Sequence, residues 1–133
     1  MERTLVLIKP DAVERNIIGK IIGIYEESGL YIENLKMISP TRRILEEHYE
    51  EHREKSFFEE LIASLKDKNA VALIIKGDEA ISRVRKINGA TDPVKAEEGT
   101  IRKTYASSIR YNTVHGSSDP EAAEREIRIW FES

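Results

Sequence analysis

Thr4-Leu5-Val6-Leu7-Ile8-Lys9-Pro10-Asp11 is a short run rich in branched apolar side chains, halted by a proline. It reads as a buried strand from Thr4 to Lys9. Ala70 to Lys76 (AVALIIK) repeats the pattern and turns at Gly77-Asp78. Between these strands, Asp11 can cap a helix whose Ile17, Ile18, Ile21, Ile22 and Tyr25 recur at helical spacing until Ser28-Gly29. Tyr31 to Ser39 alternates as a second strand ended by Pro40. Thr41 then opens a charged helix through His52. Phe57 to Lys66 forms another, with Phe57, Phe58, Leu61, Ile62 and Leu65 on one face.

After the third strand a helix is expected from Glu79 to Ile87. The stretch from Asn88-Gly89 through Tyr111 has no clear period. It exceeds the ~12–15 residues at which structureless loops become suspicious, and so reads as functional. Asn112 to His115 is a short fourth strand. Ser118-Asp119-Pro120-Glu121 then starts a helix with a capping side chain, an early proline and acid in the first turn. Ala122, Ala123, Ile127, Trp130 and Phe131 are its expected buried face. Helices separate strands that lack hairpin turns, so the class is α+β or α/β. A ferredoxin-like split βαβ arrangement accommodates the order, with a four-stranded antiparallel sheet covered by helices and a long active-site loop. Periodicity does not give the strand order. Residues 1–133 fit one domain.

Composition excludes several functions. There are 21 basic and 24 acidic side chains, a formal charge of −3, which argues against a duplex-binding protein. Attraction of an anionic substrate must come from local placement of Lys and Arg. The absence of cysteine removes disulfides, thiolate catalysis and Cys-ligated metals. No apolar run approaches the ~20 residues of a membrane helix, and no secretory signal is visible, so the expected location is cytoplasmic.

Three clusters could carry chemistry. His115 follows the fourth strand, precedes Gly116-Ser117-Ser118 and lies just before a well-capped helix. It is either a loop histidine that packs locally or a nucleophilic imidazole near unpaired helix N–H groups, which favour phosphate and a neutral ring. Lys9, Arg85 and Arg102, with Thr91, could bind phosphate, since phosphoryl transfer is catalysed largely by positioned positive charge. Most of the basic residues are instead solvated surface. Finally, His48-Tyr49-Glu50-Glu51-His52 fits the H-x-x-E-H spelling of a zinc protease. Its flanks are heavily charged, and the sole other histidine is His115.

Together these residues resemble the nucleoside diphosphate kinase family from Thr4 to Phe131. The carrying segments are the opening strand through Asp11; His48 to His52 through Phe57-Phe58; Gly89-Ala90-Thr91-Asp92-Pro93; Gly99-Thr100-Ile101-Arg102; Asn112-Thr113-Val114-His115-Gly116-Ser117; and Arg125 to Phe131. The resemblance implies a ping-pong reaction. A nucleoside triphosphate such as ATP gives its γ-phosphoryl group to His115, forming a pros-phosphohistidine, and a diphosphate collects it. It implies Mg²⁺ carried mainly by the nucleotide phosphates, and no protein metal cage. Lys9 and Asn112 would reach the ribose hydroxyls, with Lys9 also near the γ-phosphate. Arg85, Thr91 and Arg102 would hold the other phosphates, and Tyr49 would be a nucleotide and transition-state contact. Phe57 would stack on the base beside Leu61 and Ile109, giving broad base specificity. Glu126 would hold the non-reacting ring nitrogen of His115.

Assembly as a homotetramer or homohexamer of dimers is implied, with no membrane and no specific nucleic-acid partner. Family members commonly read His-Gly-Ser-Asp-Ser, whereas here Ser118-Asp119 follows Ser117. Glu98 replaces a frequent Pro, and Lys103-Thr104-Tyr105 a frequent Gly-Asp-aromatic. Two other functions compete: a zinc hydrolase built on His48, Glu51 and His52, and a non-catalytic nucleotide sensor using the same pocket.

Overall fold

The computed structural model describes residues 1–132. Strand β1 (Glu2–Ile8) lies at the centre, antiparallel to β3 (Ala70–Gly77) on one side and β4 (Val114–Gly116) on the other. The edge strand β2 (Tyr31–Ile38) pairs antiparallel with β3, so the sheet runs β2-β3-β1-β4. This is the split βαβ order expected of the fold class.

Both faces of the sheet are covered, which is why β1 and β3 are continuous apolar runs. Val6 and Ile8 face a layer of α1 (Pro10–Glu14), α2 (Ile18–Glu27), α5 (Ala80–Asn88) and α6 (Ile101–Tyr105). Leu5 and Leu7 face α3 (Arg42–His48), α4 (Phe58–Leu65) and α7 (Pro120–Phe131), around the fully buried Trp130.

Several elements differ from the sequence expectation. The first helix is split: α1 begins on Pro10, and Asn16 adopts φ 60°, so α2 starts afresh at Ile18. Asp11 caps nothing; its Oδ2 accepts the Thr113 N–H from across the molecule. The charged helix after Thr41 ends at His48, and Glu50–His52 is a separate 3₁₀ turn. A bulge between Ile32 and Asn34 reverses the alternation of β2. Ile32 therefore packs on the α2 side and Ile38 on the α7 side, although strict period two would put them together. The aperiodic stretch contains α6, capped by Thr100 Oγ1 accepting from the Lys103 N–H. The expected cap of α7 is correct: Asp119 Oδ1 accepts from the Ala122 N–H at 2.8 Å, and Pro120 follows it. Its buried face uses Glu126 and Ile129, while Ala122 and Phe131 are half-buried.

Candidate active site

The turn from Asn112 to His115 builds the centre. Thr113 is β-branched, buried and held at φ 75°, a conformation such residues avoid. Two contacts hold it there: Asp11 Oδ2 takes its N–H at 3.1 Å, and the Lys9 N–H donates to its carbonyl at 2.9 Å. The Val114 N–H closes the turn on the Asn112 carbonyl at 2.8 Å. The turn swings Asn112 toward Lys9, whose Nζ donates to Asn112 Oδ1 at 2.9 Å. His115 then pairs with Leu7 in β4 and shares its face with α3 and α7.

There Glu126, buried on α7, places Oε1 2.8 Å from His115 Nε2. A carboxylate acceptor puts the proton of the neutral ring on Nε2 and leaves the lone pair on Nδ1. Ser117, fully buried, donates its hydroxyl to the same Oε1 at 2.7 Å and accepts the Leu5 N–H at 3.2 Å. Glu126 is thereby fixed before it fixes the histidine. Behind the ring, His48 packs edge-on to His115, centroids 4.5 Å apart. Its Nδ1 accepts the Trp130 indole N–H at 3.0 Å, and burial pushes its pKa well down, so His48 is a neutral wall.

This geometry separates the H-x-x-E-H residues. His48 ends α3 and points into the core, whereas His52 sits on the following turn and Glu51 is exposed. The ligand atoms of His48, His115 and Glu126 do lie within 4.8 Å of one another. The pairings His48–Trp130 and His115–Glu126 already engage them.

A cavity of ≈ 500 Å³ opens over this turn, lined by Lys9, Tyr49, His52, Arg85, Asn88, Gly89, Ala90, Thr91, Arg102, Asn112, His115, Gly116 and Ser118. Three cationic side chains and no carboxylate line it, a wall suited to a polyanion and not to a bare divalent cation. Lys9 is almost fully buried, and burial with Arg102 and Arg110 nearby pushes its pKa down to about 8, against the pull of Asp11. The Tyr49 hydroxyl has no hydrogen-bond partner among the described residues, and burial raises its pKa, so it stays a neutral donor. Arg102 donates from Nη1 to the Gly89 carbonyl at 2.6 Å and from Nη2 to the Val114 carbonyl at 2.7 Å. This leaves three of its five N–H groups, including an unpartnered Nε. Gly89 permits the arrangement: it has φ 89°, and a Cβ there would lie 2.6 Å from Thr100 Oγ1.

Seven of the expected site residues therefore surround one cavity: Lys9, Tyr49, Arg85, Thr91, Arg102, Asn112 and His115. Glu126 stands directly behind it. Phe57, Leu61 and Ile109 are not on its wall. Phe57 and Ile109 are exposed at 37% and 60%, and Phe57 adjoins the cavity through His52, 5.6 Å from it between centroids. Leu61 is buried in the α4 core. The sequence offers His52 only as a zinc ligand of the competing reading, whereas it lines this cavity; Ser117 and Trp130 were not read from the sequence as site residues, and only the position of Ser117 two residues after His115 pointed toward it.

The family model described as nucleoside diphosphate kinase matches residues 2–133. The chain belongs to the nucleoside diphosphate kinase family. Among similar members, the nucleoside diphosphate kinase of Clostridium perfringens is 52% identical, covering 98% of this chain and 92% of that one. That of Sulfurisphaera tokodaii is 50% identical, covering 98% and 89%. The crystal structure of the Encephalitozoon cuniculi nucleoside diphosphate kinase superposes with a TM-score of 0.97 at 41% identity, covering 100% of this chain and 90% of that one. In this member of the kinase family, the acid displaced by one place is Asp119. It caps α7, while Ser118 lines the cavity.

Proposed function

We propose that this phosphotransferase moves the γ-phosphoryl group of a nucleoside triphosphate to a nucleoside diphosphate through a phosphohistidine on Nδ1 of His115. The observation that carries the reading is the Glu126–His115 contact at Nε2, which leaves Nδ1 as the ring's nucleophile beside a cationic cavity. Nδ1 attacks the γ-phosphorus in line, the bond to the β–γ bridging oxygen breaks, and the diphosphate leaves. The ring gains positive charge as the N–P bond forms, and the Glu126 carboxylate offsets it. In the second half, a terminal phosphate oxygen of an incoming diphosphate attacks the same phosphorus and the N–P bond breaks. The ring returns neutral.

Lys9, Arg85, Arg102 and Thr91 hold phosphate oxygens, with Lys9 and Asn112 also reaching the ribose hydroxyls and Tyr49 donating from its neutral hydroxyl. The base stacks on Phe57 beside Ile109, with Leu61 supporting it from the core. Mg²⁺ accompanies the nucleotide and neutralises phosphate charge when bound. The carboxylate-free wall supports a cation carried by substrate.

The reading extends to one domain over residues 1–133, acting in the cytoplasm as a homotetramer or homohexamer of dimers. No described helix is long and apolar enough to cross a membrane. The sheet edge at β2 exposes Leu35 at 52% and Met37 at 55%, a surface that supports pairing with a second copy.

The test is incubation with γ-labelled ATP. Label stable in alkali, lost in acid and absent from His115→Ala is expected, together with conversion of GDP to GTP. No label and no GTP would refute the function.

A further inference from the structure

Asn88 closes α5 and is 1% exposed, yet it lines the cavity and has no part in the transfer described above. It lies one helical turn after Arg85, on the same face of the helix. Its Oδ1 accepts the Tyr25 hydroxyl at 2.5 Å. Tyr25 is fully buried on α2, and burial pushes its pKa well up, so the phenol keeps its proton and needs an acceptor. That demand fixes the amide: Oδ1 turns to Tyr25, and the two Nδ2 donors point away from it. Nδ2 meets no acceptor among the described residues. It packs instead against Gly116, the residue after His115, where a Cβ would come within 3.0 Å of it. A buried amide with its acceptor satisfied and its donors idle is costly unless a ligand takes those donors.

We propose that Asn88 binds substrate: its Nδ2 donates to an oxygen of the nucleotide's phosphates beside His115, and Tyr25 is the positioning residue that holds the amide in its donating orientation. This rests on the kinase reading above and adds a neutral donor to the cationic wall. Burial first, and then mutual repulsion, lowers the pKa of Lys9 beside Arg102 and of Arg102 beside Arg85. A neutral N–H adds a directed bond to phosphate without adding to that repulsion. Gly116 makes room for it, since a side chain there would displace the amide.

The test is calorimetric titration of ADP and of inorganic pyrophosphate into the full chain, into Tyr25→Phe, and into the double variant Tyr25→Phe with Asn88→Leu. Values of kcat and KM are measured in parallel, and folding is checked by circular dichroism. The double variant removes both partners together, so it leaves no buried polar group unpaired. It is expected to lose about 10-fold in affinity for ADP and for pyrophosphate alike, because the missing bond is to phosphate. The loss should appear in KM and not in kcat, since the bond is made equally before and during transfer. Tyr25→Phe keeps Nδ2 but frees the amide to turn over, and should lose about 3-fold for both ligands. Wild-type affinities in the double variant overturn the proposal, because the pair would then serve packing alone. A loss for ADP without one for pyrophosphate also overturns it, since the donor would then serve another part of the nucleotide. If the double variant does not fold, Tyr25→Phe decides: weaker binding of both ligands supports the contact and wild-type binding overturns it. Absence of phosphotransfer by the wild-type chain would instead defeat the kinase reading itself.

Discussion

Burial, with Arg102 and Arg110 adding to it, pushes the Lys9 ammonium down to about 8, while Asp11 pulls the other way. Free enzyme therefore carries the Lys9 charge below about pH 8 and loses it above. Because the proposed role of that charge is to hold anionic nucleotide, kcat/KM for ADP is expected to fall as pH rises through about 8, and Lys9→Gln should lack that inflection. Initial rates between pH 7 and 9.5 check this. At Glu126, Gln can still accept from His115 Nε2 but brings no charge to the phosphorylated ring. Glu126→Gln is expected to lower kcat by roughly 10²-fold with little change in nucleotide affinity, measured by single-turnover transfer. Lys9 and His115 were legible in the sequence because each ends an apolar strand. The His115–Glu126 contact was not, since no periodicity links a strand to a position 11 residues on in the next helix; family resemblance supplied it.

Among the elements, the strained Asn112–His115 turn and the α3 terminus hold the site. Thr113 keeps its left-handed conformation because Asp11 captures its N–H. Asp11→Ala leaves that donor without a partner and should destabilise the fold by about 1–3 kcal/mol, whereas Asp11→Asn, which retains an acceptor, should lose less. Urea unfolding at neutral pH measures both. At the end of α3, burial depresses the pKa of His48 well below 6.5 in the folded state. Below about pH 6.5 the unfolded chain takes up a proton there that the folded chain refuses, so stability falls with falling pH. His48→Gln should flatten that slope, as followed by thermal melts from pH 7.5 to 5. Sequence periodicity identified β1, β3, α5 and α7 because their apolar positions repeat over enough residues. It missed the break at Asn16, the bulge after Ile32 and the short α6. Those depend on a left-handed residue, on an edge strand with no buried face, and on a cap in a loop without period.

For the whole molecule, two helical layers close both faces of the sheet but leave the edge at β2 open, with Leu35 and Met37 half exposed. A double substitution Leu35→Glu with Met37→Glu should shift the mass measured by light scattering toward the monomer while leaving far-UV circular dichroism unchanged. An unchanged mass would place the oligomer contacts elsewhere. The layered sheet was readable from the alternation of apolar strands and amphipathic helices. The cavity was not, because its lining comes from the residue after β1, the end of α5, the long loop, β4 and the turn after α3, which only the folded chain brings together.

In the proposed mechanism the pairing of Glu126 with Nε2 makes Nδ1 the reacting nitrogen, and isotope-edited NMR of the phosphoenzyme formed from ATP reads that nitrogen directly. Phosphorus bonded to Nδ1 of His115, with Nε2 still protonated, is the predicted spectrum. Phosphorus on Nε2, or on a different histidine, would contradict the account.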